Sequence, residues 1–269
     1  MNDPAPPTPP PLELGRRILI LIPHPDDEVV GCAAGIGRAR AAGAELHGMY
    51  LTTGVPAREA LWFWQRGAYE ARVGRRRAEA RAAAERLGLL PVVFRDLPAR
   101  TLRTVLREAR ELALAVIAER KIDTVWTPAY EGGHQDHDAA NALAGTLPKA
   151  APGLRVLEFA EYHFAGGAVR SQAFPAPNGA ESSFALTGAE AAFKRELLAL
   201  YPSERGNLSY VRAERESFRP LAAYDYGRPP HPGRLFCERF HWVLFRHPRV
   251  DFTPHEEVRR AITEFLAQS

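Results

Sequence analysis

Short apolar runs alternate with longer amphipathic stretches over the first 162 residues. Residues 17–22 form a nearly continuous apolar run, which is typical of a strand buried on both faces of a parallel sheet. Residues 102–120 place apolar side chains on one face at helical spacing. The same patterns predict further strands at 46–53, 92–94, 124–127 and 156–162, and further helices at 28–42, 68–87 and 135–147.

This alternation predicts a Rossmann-like, doubly wound α/β fold with a mostly parallel sheet. If the strand order is 3-2-1-4-5, the first and fourth strands are neighbours at the point where the order reverses. The later part of the chain is less regular, and we expect it to pack on the sheet as a C-terminal extension. Its predicted elements are a helix at 188–200, a long loop at 203–234, one or two strands within 235–245, and a helix at 254–267 with Thr253 as N-cap.

The length of 269 residues and the 46% apolar content suit one large domain. Residues 1–14 contain six prolines, all between positions 4 and 11, and are predicted to be a disordered leader. Residues 15–269 are predicted to be a single domain, because no linker divides them. Within that domain, residues 15–165 form the expected α/β core with the site, and residues 166–269 form the region expected to shape the substrate pocket.

Charge and cysteine content exclude several classes of protein. The 35 basic and 32 acidic residues give a net charge of +3, which argues against a dedicated nucleic-acid binder. Two cysteines, Cys32 and Cys237, do not make a disulfide framework and fit a reducing compartment. The sequence has neither a signal-peptide pattern nor an apolar run of about 20 residues. We therefore expect a cytoplasmic protein without a membrane span.

Two segments concentrate histidine and carboxylate side chains. Residues 24–28 read His-Pro-Asp-Asp-Glu directly after the first strand, and residues 134–138 read His-Gln-Asp-His-Asp after the fourth strand. Ligands of doubly wound sheets bind beyond the carboxyl ends of the strands, so the two segments are expected to meet. A catalytic zinc ion uses three such ligands and a water molecule. The combination predicts metal-assisted hydrolysis of an acyl bond.

The residue pattern alone leaves the roles within these segments open. His24 and either Asp26 or Asp27 can supply two ligands from one turn. Either His134 or His137 can bind the metal while the other faces the substrate. The plainer interpretation is that the histidines are solvated and that the carboxylates complement a helix N-terminus.

The motifs resemble those of the PIG-L/LmbE-like family of zinc-dependent N-deacetylases. Residues 22–28 and 131–137 match this family in order, spacing and strand context, and Arg76 with Glu79 is similar to its Arg-x-x-Glu helix. The resemblance covers residues 15–165 well. The chain departs from the family at Thr53, where many members have aspartate, and at Gln135, which replaces a common proline.

The resemblance implies a role for each matched residue. It makes His24, Asp27 and His137 ligands of Zn²⁺ or another divalent metal. It makes Asp26 the general base, and it makes His134, in the form of an imidazolium or otherwise, the group that stabilises the oxyanion. Arg76 and Asp96 become candidates for contacts with sugar hydroxyls, with a plain surface or salt-bridge role as the alternative.

The expected function is zinc-dependent removal of an N-acetyl group from an amino sugar or amino-sugar conjugate of the N-acetylglucosamine type. The expected partner is that small substrate, and a homo-oligomer is possible. One alternative is an amide hydrolase of another small molecule, such as a thiol-pathway conjugate or an antibiotic intermediate. The other is a non-catalytic α/β ligand-binding module, which is disfavoured because no glycine-rich phosphate loop follows the first strand.

Overall fold

The computed structural model describes residues 12–245 and 247–269. Most of the predicted leader therefore lies outside the described residues. Leu12 and Leu14 at its end pack against the core, and the backbone carbonyl of Leu14 accepts a 2.9 Å hydrogen bond from Trp126 Nε1. No helix within the described residues is long and apolar enough to cross a membrane.

Seven strands form the main sheet, in the order β3-β2-β1-β4-β5-β9-β8. The five strands β1 to β5 are parallel, whereas β9 pairs antiparallel with β5 and β8 pairs antiparallel with β9. The predicted doubly wound, mostly parallel fold is thus confirmed, with the order 3-2-1-4-5 for its parallel strands, and β6 and β7 form a separate two-stranded ribbon. The strands are β1 (Arg17–Ile22), β2 (Glu45–Tyr50), β3 (Leu90–Phe94), β4 (Thr124–Pro128), β5 (Arg155–Phe159), β6 (Tyr162–His163), β7 (Arg170–Ser171), β8 (Ser182–Ala185) and β9 (Arg215–Pro220).

Helices cover both faces of the sheet. Side chains alternate between the two faces along a strand, so Ile18, Ile20 and Ile22 of β1 pack against α1, α2 and α5, while Leu19 and Leu21 pack against α3, α4 and α6. Both faces of β1 are apolar for this reason. The helices are α1 (Asp27–Ala41), α2 (Tyr69–Leu87), α3 (Leu106–Arg120), α4 (Gln135–Ala150), α5 (Gly188–Ala199) and α6 (His255–Leu266).

Three predictions for the C-terminal part are wrong. Strand β9 lies inside the predicted loop 203–234. Residues 235–245 form turns and bends and contain no strand. Helix α6 has Pro254 as its N-cap without a side-chain cap, so Thr253 lies one position too early to cap it.

The charged composition of β9 explains why it reads as a loop. Glu216 and Arg219 are both buried in this strand. Glu216 accepts a 2.7 Å hydrogen bond from Lys194 Nζ, and Arg219 Nε donates a 2.6 Å hydrogen bond to Glu158. A buried charge is tolerated when a paired group compensates it, and these pairs connect residues far apart in sequence.

The sheet places the two motif segments together. Ile20 of β1 pairs with Trp126 of β4, so the carboxyl ends of the two strands are adjacent. Residues 23–26 turn directly from β1 into α1, and residues 129–134 connect β4 to α4. Gly133 allows the second connection to pass close to the backbone of β6, because a Cβ atom there would lie 2.6 Å from the backbone oxygen of Tyr162.

Candidate active site

The turn after β1 holds Asp26 in a backbone conformation that side chains rarely adopt. Its φ is 123° and its ψ is −25°. The carbonyl oxygen of Asp26 accepts 2.8 Å hydrogen bonds from the amides of Val29 and Val30, and its own amide donates to Glu28 Oε2 at 3.1 Å. Strain of this kind persists where the surroundings fix it, often at functional sites. The turn buries the side chains of both Asp26 and Asp27.

Three donor atoms from the two motifs form a nearly equilateral triangle. His24 Nδ1 lies 3.2 Å from His137 Nε2 and 3.3 Å from Asp27 Oδ2. Asp27 Oδ2 lies 3.2 Å from His137 Nε2. A tetrahedral zinc ion with donors about 2.0–2.2 Å away separates any two of them by about 3.4 Å. The type and spacing of the three donors therefore fit a zinc ion or a similar divalent metal.

A buried carboxylate lies beside the outer nitrogen of each of the two imidazole rings. His24 Nε2 lies 3.0 Å from Asp136 Oδ2, and His137 Nδ1 lies 3.5 Å from Glu161 Oε2. Asp136 is itself fixed by hydrogen bonds from the backbone amides of Arg100 and Leu102. A ring that directs one N–H toward a carboxylate presents the lone pair of its other nitrogen to a metal. His24 thus directs Nδ1, and His137 directs Nε2, toward the centre of the triangle.

Two further potential ligands lie beside the triangle. The donor atoms of His24, His134 and His137 lie within 4.8 Å of one another, and so do those of Asp27, His137 and Glu161. Glu161 is completely buried, and neither of its carboxylate oxygens has a hydrogen-bond partner. Burial raises the pKa of Glu161 well above its ordinary value.

The charges of the cluster favour a cation. Burial lowers the pKa of His24, but the charge of Asp27 and the hydrogen bond to Asp136 outweigh this effect and raise it to about 10. Burial raises the pKa of Asp27, but His137 and His24 overcome it, so the net shift is downward. Asp27 is thus a carboxylate at neutral pH, as a metal ligand must be.

Asp26 stands next to the triangle and is held by Arg76. Asp26 Oδ2 lies 3.3 Å from Arg76 Nη2, and that nitrogen also donates to the carbonyl of Pro25. Burial raises the pKa of Asp26 well above its ordinary value, although the positive charge of Arg76 opposes the shift. A buried carboxyl group with a raised pKa suits general acid–base catalysis near neutral pH.

Arg76 has little capacity left for a sugar hydroxyl. It is 3% exposed, and its Nη1 lies 3.7 Å from Glu204 Oε1 and 3.9 Å from Glu79 Oε2. These contacts favour the salt-bridge alternative. Asp96 is exposed, pairs with Arg77 and does not border the cavity described below. The structure therefore does not bring Asp96 to the site.

His134 is a neutral imidazole in this structure. Its Nδ1 accepts a 3.1 Å hydrogen bond from the backbone amide of Asp136, so this nitrogen carries no proton. Burial and the neighbouring charge of His24 lower the pKa of His134 well below its ordinary value. The Nε2–H group is therefore the donor of the ring in this structure, where the sequence left the imidazolium form open.

A cavity of about 500 Å³ opens over these groups. Its walls include His24, Asp26, Asp27, His134 and Tyr162. The volume lies in the range of sites for small molecules. Thr53, where the chain departs from the expected motif, is buried beside the cavity, and its hydroxyl donates to the carbonyl of Val55 at 3.3 Å.

Several contributors to the site carry no local sequence signal. Glu161 belongs to no motif, and nothing in the sequence marks Asp136, inside the second motif, as the partner of His24. His255 is buried at the start of α6, and its Nε2 lies 2.8 Å from Asp138 Oδ2. The partners of these residues lie far away in the sequence, so spacing could not indicate them.

Comparisons with known proteins point to one family. Residues 19–147, which contain both motifs, match the family model described as PIG-L, GlcNAc-PI de-N-acetylase. No curated protein sequence matches the chain.

Solved structures with the same fold include enzymes of different activities. A zinc-inhibited form of teicoplanin deacetylase is 19% identical, with a TM-score of 0.59 over 78% of this chain and 99% of that one. N,N'-diacetylchitobiose deacetylase from Pyrococcus horikoshii is 16% identical, with a TM-score of 0.52 over 80% and 85%. A 4-carboxy-2-hydroxymuconate hydratase from Pseudomonas putida is 18% identical, with a TM-score of 0.53 over 78% and 97%. At sequence identities this low, the structural similarity establishes the fold alone, and the activity has to be argued from the site.

Proposed function

Because the chain belongs to the PIG-L family, we propose that it is a metal-dependent deacetylase that hydrolyses the N-acetyl group of an amino sugar or amino-sugar conjugate. The observation that carries this proposal is the triangle of His24, Asp27 and His137 with Asp26 beside it. The names of two structural neighbours, a teicoplanin deacetylase and a diacetylchitobiose deacetylase, support the same reaction class.

The metal is proposed to be zinc. Two imidazole nitrogens and one carboxylate oxygen are common zinc ligands, and three protein ligands leave a position free for catalysis. A zinc ion bound there would supply Lewis acidity, which polarises the amide carbonyl and makes a water molecule more acidic. Imidazole donors disfavour magnesium, which prefers oxygen ligands.

Asp26 moves the proton in this reaction. Its carboxylate accepts a proton from the attacking water as the bond from oxygen to the carbonyl carbon forms. The protonated carboxyl group then gives that proton to the amine nitrogen as the C–N bond breaks, which releases acetate and the free amine. The raised pKa of Asp26 suits both steps, and the contact with Arg76 holds its carboxyl group in place.

His134 supports the tetrahedral intermediate. Its neutral ring carries the proton on Nε2, and the ring borders the cavity next to His24, at a distance of 4.2 Å between the ring centroids. A fixed donor of this kind stabilises negative charge that develops on the carbonyl oxygen.

The domain organisation, the partner and the cellular location of the enzyme are proposed from the sequence. Residues 15–269 act as one domain, the partner is a small N-acetylated sugar, and the location is the cytoplasm. Both cysteines are free thiols in the structure, which is compatible with a reducing compartment.

Acetate release tests this function. The purified protein, freed of metal with a chelator and then supplied with zinc, is incubated with N-acetylglucosamine, its glycosides, and N-acetylated thiol conjugates. We expect zinc-dependent acetate and an equal amount of free amine from at least one sugar. Zinc binding without acetate from any N-acetylated sugar would contradict the proposed substrate class, and acetate from the thiol conjugates alone would favour the alternative amide hydrolase.

A further inference from the structure

Helix α1 is interrupted at Cys32, where the φ of −145° and the ψ of 21° lie outside the helical range. In a regular helix the amide of Ala34 would donate to the carbonyl of Val30. Here that amide donates to Glu216 Oε1, on strand β9, at 3.0 Å. The interruption makes residues 27–31 a separate first segment of α1, and this segment carries the carboxylate donor of the triangle.

Side chains of the C-terminal extension bind the backbone groups on both sides of the interruption. The carbonyl oxygen of Val30 accepts hydrogen bonds from Lys194 Nζ at 2.8 Å and from Gln172 Nε2 at 2.6 Å. Glu216 Oε2 accepts a 2.8 Å hydrogen bond from the amide of Gly35. Buried backbone groups at a helix end need partners of this kind. The extension thus caps the end of the first segment and the start of the second.

The charges of these side chains match the backbone groups that they face. Lys194, Gln172 and Glu216 are completely buried, and Lys194 Nζ lies 2.7 Å from Glu216 Oε1. The ammonium group faces the Val30 carbonyl, and the carboxylate faces the amides. An exchange of the two charges would keep an ion pair but would place each charge against a backbone group of the wrong polarity.

The first segment of α1 supports the catalytic turn. Asp27 supplies Oδ2 to the triangle, and the carbonyl of Asp26 accepts 2.8 Å hydrogen bonds from the amides of Val29 and Val30. Val30 also borders the catalytic cavity. A displacement of Val30 would therefore move the turn that holds both aspartates. Catalytic groups tolerate little displacement, since an error of about 1 Å can lower a rate by about 100-fold.

We propose that Lys194, Gln172 and Glu216 are positioning residues of the metal centre. They set the position of the first segment of α1, and through it the position of the Asp27 carboxylate. None of the three borders the catalytic cavity, so their effect passes through the backbone of that segment. The proposal rests on the proposed function for the metal and the reaction, but metal binding can be measured without catalysis.

A reversal of the buried charges tests this role. The double variant Lys194→Glu/Glu216→Lys keeps the possibility of an ion pair but opposes the polarity of the α1 backbone. We expect its zinc dissociation constant, measured by competition with a chromophoric chelator, to rise by about 10–100-fold, the range found for residues that orient metal ligands. An unchanged dissociation constant in the folded variant would overturn the proposal.

A second buried ion pair of β9 separates positioning from stability. Arg219 is 1% exposed and its Nε donates to Glu158 Oε1 at 2.6 Å, and its other polar partners, Ala176, Glu181 and Tyr224, also lie outside α1. Arg219→Met should lower the free energy of unfolding but keep the zinc dissociation constant of the wild type. Equal weakening of zinc binding in this control and in the charge reversal would attribute the effect to lost stability and overturn the proposal.

A single variant decides the question if the charge reversal does not fold. Gln172→Met removes one donor to the Val30 carbonyl and keeps the length of the side chain. We expect it to raise the zinc dissociation constant by about tenfold, whereas Gln268→Met, at an exposed glutamine, should leave it unchanged. Wild-type zinc binding by Gln172→Met would overturn the proposal.

Kinetics separate this proposal from the proposed function. In the zinc-saturated charge reversal, kcat should fall by about 10–100-fold while KM for the N-acetylated sugar stays near the wild-type value. Weaker zinc binding in the variant, without acetate release by the wild type, would support the positioning role and contradict the deacetylase. Acetate release by the wild type, with unchanged zinc binding and kcat in the variant, would support the deacetylase and overturn the positioning role.

Discussion

At the scale of the residue, the site depends on which atom of each side chain carries a proton. Asp136 forms a hydrogen bond with the outer nitrogen of His24, Glu161 lies 3.5 Å from the outer nitrogen of His137, and the Asp136 amide fixes the tautomer of His134. The motif residues could be found from the sequence because each group follows a strand within a few positions. Their orienting partners could not, because the contact of Glu161 with His137 exists only in the folded chain.

Substitution of Asp26 by asparagine tests the base directly. Asp26→Asn keeps the size of the side chain but cannot accept the proton of water, so we expect kcat to fall by about 10²–10⁴-fold. Zinc content, measured by elemental analysis, should stay at the wild-type level, because Asp26 is not part of the triangle. Nearly unchanged turnover in this variant would show that another group acts as the base.

At the scale of the element, a buried ion pair joins two elements of the C-terminal extension, and its carboxylate connects them to helix α1 of the core. Lys194 of α5 pairs with Glu216 of β9 at 2.7 Å, and both side chains are completely buried. Glu216 also accepts hydrogen bonds from the amides of Ala34 and Gly35 in α1. Apolar periodicity predicts α5 and α1, but it cannot predict β9, whose charged residues face partners on other elements.

Removal of the Lys194 ammonium group should lower the free energy of unfolding. Lys194→Met leaves Glu216 buried without its counter-charge, and we expect the free energy of unfolding to fall by about 3–5 kcal/mol. Urea denaturation followed by circular dichroism measures it. Lys149→Met, at an exposed lysine of α4, is the matched control and should change stability by less than about 0.5 kcal/mol. Equal stabilities of the two variants would show that the pair does not anchor β9.

The pair of Arg38 and Glu190 at the start of α5 should make the free energy of unfolding depend on pH in the acidic range. The hydrogen bond from Arg38 lowers the pKa of Glu190 from its ordinary value of 4.5 to about 2. Because the folded-state pKa is the lower one, this contribution is complete above pH 4.5 and is lost as the pH falls toward 2.

Glu190→Gln provides the comparison for that pH dependence. We expect the urea midpoint of the wild type to decrease more steeply than that of Glu190→Gln as the pH falls through this window. The two proteins should converge at its acid end. Parallel curves throughout the window would contradict the role of the Arg38–Glu190 pair.

At the scale of the whole molecule, the parallel sheet brings both motifs to one edge, and the extension adds the antiparallel strands and one side of the cavity. The order of the parallel strands follows from hydrophobic patterning, because strands buried on both faces carry continuous apolar runs. Residues 235–245 do not form a strand buried on both faces, so this pattern does not predict their structure. Their alternating apolar side chains resemble a strand but mostly face solvent at the cavity mouth.

The measurement that tests the central claim most directly is an anomalous difference map from zinc-soaked crystals, collected on both sides of the zinc absorption edge. The account predicts one strong peak about 2.0–2.2 Å from His24 Nδ1, Asp27 Oδ2 and His137 Nε2. The peak should be absent from crystals of His137→Ala. A wild-type map without a peak in the triangle, or with zinc bound only elsewhere, would contradict the account.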